Sequence, residues 1–262
     1  MHHELRQLRL IGVLLVLALA ACQPSGSGGS PSASAASSSS AAAPSDTPEP
    51  LAVPRPTDIP TDGTCDDGHV CLGLLAAGTT YKTKAFEPVI TFTVPSTGWE
   101  NLADEGTVFM LLPISAPGDA IVFFRGAKAA QANGSFATAG DTVAGLSDWL
   151  ASNQLLDVTA AKSVTIGGLS GVTMDLKIAA GAANHPGSCH VQTCVPIFKG
   201  QDLTAHPPWH WDWESDGPEI QRLYLLTATD GVVAIFVDSL DGTTFDTLST
   251  AADQILAGLK FG

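Results

Sequence analysis

The stretch His206-Pro207-Pro208-Trp209-His210-Trp211-Asp212-Trp213-Glu214-Ser215-Asp216-Gly217 gathers the side chains best suited to chemistry. It holds three of the chain's five tryptophans, two of its seven histidines and three carboxylates. In an extended backbone the tryptophans share one side, and His210, Asp212 and Glu214 the other. Aromatic faces stack on a sugar or on another flat or cationic ligand. The set His206, His210, Asp212 and Glu214, joined by His185 or His190, could instead bind a divalent metal. The third reading is a lid loop whose tryptophans close one end of a core while the charges face water. A glycosidase-like acid pair from Asp212, Glu214, Asp216 and Glu219 is disfavoured, because acidic loops are common on acidic proteins. The chain lacks Gly-x-Ser-x-Gly, HExxH and P-loop patterns. No catalytic residue, metal or cofactor is therefore assigned. The ligand-binding candidates are Trp209, Trp211, Trp213, His206 and His210.

Five cysteines offer a second chemistry. Cys65 and Cys71 form one tight pair (CDDGHVC), and Cys189 and Cys194 another (CHVQTC). In an oxidising compartment an even set reads as two disulfides. Local bridges, Cys65–Cys71 and Cys189–Cys194, are favoured over crossed ones. A zinc site from Cys71, Cys189, Cys194, His69 and His190 competes, but its C-x5-C and C-x4-C spacings depart from the usual structural pattern.

The fifth cysteine, Cys22, ends an export-type segment: a basic start at Arg6 and Arg9, the apolar run Leu10–Ala21, then small residues. The run is shorter than the roughly 20 residues that span a bilayer. Leu19-Ala20-Ala21-Cys22 resembles the lipobox of bacterial lipoproteins. The resemblance implies removal of residues 1–21, a diacylglycerol thioether on Cys22 and an acylated new amino terminus. The other reading is an ordinary secretory signal with an incidental cysteine. Residues 22–60 follow as a Ser/Ala/Pro linker with no aromatic residue, which cannot bury enough surface to fold. As a flexible tether it spans roughly 35 Å.

The net charge is −14, and residues 1–21 contribute +1 (Arg6 and Arg9 against Glu4), leaving −15 on the remainder. Such an acidic surface suits neither nucleic acid nor anionic head groups.

The elements that must position these residues lie in a single globular domain, 61–262. Val89–Val94 alternates with period 2, while Thr107–Leu112 and Ala120–Phe124 are short apolar runs that read as buried strands. Asp141 is expected to cap a helix that places Val143, Leu146, Trp149 and Leu150 on one face. Strands follow at 163–166 and 172–178 around a Gly167-Gly168 turn, with Asp175 facing solvent by alternation. Strands at 222–228 and 232–237 flank an Asp230-Gly231 turn. An amphipathic helix over 245–259 closes the chain. This order predicts an α+β fold, an antiparallel sheet with packed helices.

The pattern resembles the PsbP/Mog1-like α/β/α sandwich found in exported bacterial lipoproteins. The likeness rests on Phe92-Thr93-Val94-Pro95 with Gly98-Trp99, on Ser147-Asp148-Trp149-Leu150, on 164–171 and on 252–261, with an insertion near 181–218. It implies a fold and a ligand-binding or accessory role, and it carries over no catalytic residue. A lipocalin-like barrel is disfavoured by the mid-chain helix.

The expectation is thus a domain anchored by lipid at Cys22 to the outer side of a bacterial membrane. It would be a non-enzymatic module of the cell envelope, binding a small ligand or an envelope protein and no nucleic acid. The alternatives are a cell-surface hydrolase using the 206–217 stretch and an accessory subunit.

Overall fold

The structure, a computed structural model, describes residues 69–130, 140–180, 182, 194–202 and 209–262; for 201, 202, 209–214 and 216 it gives the backbone alone. In chain order the elements begin β1 (Gly73–Leu75), β2 (Thr80–Lys82), β3 (Ile90–Thr93), β4 (Trp99–Glu105), β5 (Val108–Pro113), β6 (Ala120–Arg125) and β7 (Lys128–Ala129). Helix α1 (Val143–Ser152) is followed by β8 (Leu156–Val158), β9 (Lys162–Ile166), β10 (Leu169–Ile178) and β11 (Cys194–Asp202). Then come β12 (Trp209–Asp216), β13 (Ile220–Ala228), β14 (Gly231–Ser239), α2 (Phe245–Ala257) and β15 (Lys260–Phe261).

Nine strands form a central antiparallel sheet in the order β1-β4-β5-β6-β14-β13-β10-β8, with β9 also paired to β10. Strand alternation sorts its side chains into two cores. Phe109, Phe123, Tyr224, Val233 and Ile235 face one side. Met110, Phe124, Leu225, Ala234 and Phe236 face the other. Because both faces are covered, β6 and β14 read as unbroken apolar runs rather than alternating ones.

The first face is covered by α2, through Leu248, Ala252, Ile255 and Leu256, and by the small sheet β15-β3-β2. Phe92 of β3 stacks on Phe109 of the central sheet at 5.3 Å. The second face is covered by α1, through Leu146 and Leu150, and by the sheet β12-β11-β7. Phe198 of β11 meets Phe236 edge-on at 5.6 Å. The fold is α+β, with each helix joined on its face by a three-stranded sheet.

Several local expectations shift. The N-cap of α1 is Thr142, not Asp141: the Thr142 Oγ1 accepts from the Gly145 N–H at 3.1 Å, so the cap sits next to the first helical residue. The β13–β14 ladder closes with Ala228 opposite Gly231, so the two turn residues are Thr229 and Asp230. Asp175 does not simply face solvent. It lies opposite Arg222, whose Nε and Nη2 donate to its two oxygens at 2.7 and 3.2 Å. Helix α2 ends at Ala257, two residues early, though Leu259 remains buried.

Candidate functional site

The chemistry-rich stretch is not a lid loop. From Trp209 to Asp216 it is the strand β12, an outer strand of its small sheet, paired antiparallel to β11. Trp213 lies opposite Phe198, Trp211 opposite Gly200, His210 opposite Gln201 and Asp212 opposite Lys199. Directly opposed residues share a face. Positions 209, 211 and 213 therefore share the face of Ser215, which is fully buried opposite the core residue Val195. Positions 210, 212 and 214 lie on the other face, which carries Lys199. The carboxylates of β12 obscured that strand in the sequence, and a bulge between Pro196 and Phe198 breaks the alternation of β11.

Of the remaining candidates, His206, His185, His190, Cys22, Cys65 and Cys189 lie outside the described residues. Cys71 and Cys194 are buried and each is disulfide-bonded. A cysteine held in a disulfide cannot supply the thiolate that zinc requires, so the Cys71/Cys194 zinc reading is withdrawn. Among the described residues, no three His, Cys, Asp or Glu side chains gather as metal ligands.

The structure brings forward a buried polar group of which the sequence reading named only Glu219, in the disfavoured acid pair. Glu219, Gln221 and Asp238 are 0–1 % exposed. Gln221 and Asp238 are paired across β13 and β14, and the Gln221 Nε2 donates to Glu219 Oε2 at 3.2 Å. Gln221 alternates with Leu223 and Leu225, and Asp238 with Ala234 and Phe236. The two positions thus lie on the sheet face covered by α1 and the β11–β12 layer, at the end where β12 runs through Gly217-Pro218 into β13. Ser215, on β12 itself, has a buried hydroxyl without a hydrogen-bond partner among the described residues. The signals in the sequence were Glu219 within the acidic stretch and Asp238 at the end of an otherwise apolar strand.

A buried acid elsewhere has an evident structural task. Asp119 accepts from the Leu240 N–H at 3.1 Å and from the Thr244 hydroxyl, tying the start of β6 to the start of α2. On the opposite face, Tyr224 donates to Asp253 at 3.2 Å, and Arg222 sits 5.3 Å over the Phe245 ring. Burial, reinforced by Asp253, pushes the Tyr224 hydroxyl up to about 12. The hydrogen bonds to Asp175 hold the Arg222 guanidinium well above its ordinary value. These contacts dock α2 onto β13.

No family model and no curated protein matches the chain. Among solved structures it is similar to cyanobacterial PsbP (CyanoP) from Synechocystis sp. PCC 6803. The identity is 8%, over 71% of this chain and 95% of that one, with a TM-score of 0.38. It is also similar to LpqN, involved in cell envelope biogenesis of Mycobacterium tuberculosis, at 13% identity over 71% and 85% of the two chains, with a TM-score of 0.34. A protein from Bacteroides thetaiotaomicron VPI-5482 matches at 13% identity and a TM-score of 0.32; the match covers 66% of this chain and 45% of that one. Likenesses of this size concern the layout of strands and helices and transfer no activity. Among the described residues no helix is long and apolar enough to cross a membrane.

Proposed function

We propose that the chain is a non-enzymatic binding module of the bacterial cell envelope, held by lipid on Cys22 at the outer side of a membrane. It would engage a small ligand or an envelope partner through the layer made by β11 and β12. The observation that carries the reading is the burial of Glu219, Gln221 and Asp238 on an otherwise apolar sheet face beneath that layer. Burying polar groups costs stability, and here the cost is borne on the sheet face next to the strand that carries the tryptophans. The neighbouring strand contributes Trp209, Trp211 and Trp213 at alternate positions, with His210 between them and His206 just before, a composition suited to a mixed aromatic and polar ligand.

Anchoring rests on the lipobox-like Leu19-Ala20-Ala21-Cys22. Each buried methylene contributes about 0.8 kcal/mol, so a diacylglycerol holds a protein far more firmly than one acyl chain does. The oxidising space beyond the membrane also suits the proposed local bridges, Cys65–Cys71 and Cys189–Cys194. Peptide mapping without reduction is expected to return those two linked peptides, and a Cys71 peptide linked to Cys189 would overturn the local pairing.

The binding claim is tested by tryptophan fluorescence of the full-length chain titrated with glycans, lipids and divalent metals, alongside Trp211→Ala and Asp238→Asn. A saturable change that both variants weaken is expected. No response to any of the panel, with emission already blue-shifted and shielded from quencher, would make β12 a packing strand and overturn the reading. Turnover of a glycan in the same titration would favour the hydrolase alternative.

A further inference from the structure

A cleft lies at the opposite end of the β13–β14 hairpin and on the opposite sheet face, away from the buried carboxylates. It has a volume of ≈ 270 Å³. Five parts of the chain converge on it: the hairpin turn, the end of β6, residues 87–88, the start of β10 and the closing strand β15. Its lining mixes apolar and polar residues. Val233 is fully buried there, and Leu169 and Phe261 are partly buried against the same core. Its charged lining residues are Glu87, Arg125 and Asp230.

The size sets the scale of an occupant, because pockets for drug-sized molecules run from about 300 to 1,000 Å³. The charges set its sign. Arg125 is opposite Val233 in the ladder, and its Nη2 meets Asp230 Oδ2 at 3.3 Å, with the two side chains 35% and 72% exposed. That pair cancels itself and leaves Glu87 in excess. An ion pair this exposed contributes little, so an incoming charge can displace either partner. The Phe261 ring also favours positive charge, since its face is electron-rich. We infer that this cleft is a binding site for a small amphiphilic organic cation, a primary ammonium on a short apolar body. The body would rest on Val233, Leu169 and Phe261, and the ammonium would sit between Glu87 and Asp230.

Benzylammonium, benzyl alcohol and benzoate share one ring and differ in charge, so they separate the contributions. Each would be titrated into the full-length chain while the amide resonances of residues 228–233 are followed. Benzylammonium is expected to give saturable shifts confined to the cleft. The double variant Glu87→Gln/Asp230→Asn, two isosteric changes at exposed positions, is expected to weaken it roughly five- to tenfold. Benzoate binding as tightly as the ammonium would make this an Arg125-led anion site and overturn the inference. So would equal binding of the alcohol, an unaffected double variant, or no saturable shift with any of the three.

Discussion

Gly171 shows how one missing methyl shapes the sheet. A Cβ built there would lie 1.9 Å from the Leu225 carbonyl oxygen and 2.9 Å from the Leu226 Cα, both backbone atoms that cannot swing aside. Gly171→Ala is expected to force β10 and β13 apart and to cost at least about 3 kcal/mol, read from denaturant midpoints. Tyr224 makes a prediction of opposite character. Its hydroxyl titrates at about 12 when folded, against about 10 when unfolded. The folded state thus holds its proton more tightly, and the contribution is complete below pH 10. It is lost as pH rises from about 10 to about 12. Tyr224→Phe should remove that part of the alkaline loss of stability, and an unchanged slope between pH 10 and 12 in the variant would contradict it. Asp104 accepts from three successive N–H groups, those of Lys84, Ala85 and Phe86, at 2.6, 3.2 and 2.9 Å. Asp104→Ala leaves all three without that acceptor and is expected to cost about 1–3 kcal/mol in thermal unfolding.

At the scale of elements, packing from both sides decides what is fixed. Phe236 touches Phe124 at 5.9 Å within the sheet and Phe198 at 5.6 Å in the covering layer. Phe236→Ala is expected to destabilise by about 3–5 kcal/mol and to loosen β11 with it, seen as faster amide exchange in residues 195–199. The same double burial explains what could be read in advance. Strands β5, β6, β13 and β14 announce themselves as apolar runs, and α2 as a 3.6-residue stripe, because each buries a long continuous face. Strand β4 (WENLADE) does not, since charges fill its half-exposed face. Strands β1, β2, β7 and β8 have two or three residues each, too few for any period to show. Strand β12 is obscured by its carboxylates and β11 by Pro196 and the bulge beside it, so their strand character comes from pairing with each other. The burial of Glu219, Gln221 and Asp238 as one group was hidden for a related reason. Polar residues at strand ends read as the flanks of turns, and only the Gln221–Asp238 register puts two of them side by side under a covering layer. The tryptophans of β12 were legible as a group, but their sharing a face with Ser215 was not.

For the whole molecule, the proposed function sets a lipid anchor and a linker before a domain whose two proposed recognition surfaces lie at opposite ends of one hairpin. The acidic balance of −15 beyond residue 21 disfavours contact with an anionic membrane surface. The placement at the membrane depends on Cys22 carrying lipid. The decisive measurement is the mass of the amino-terminal peptide of the full-length chain expressed in a bacterium, beside Cys22→Ser, with the partition of each between membrane and soluble fractions. The account predicts a peptide that begins at Cys22 and carries a diacylglycerol, on a protein found in the membrane, with the variant uncleaved or released. An unmodified cysteine on a protein recovered in the soluble fraction would contradict it.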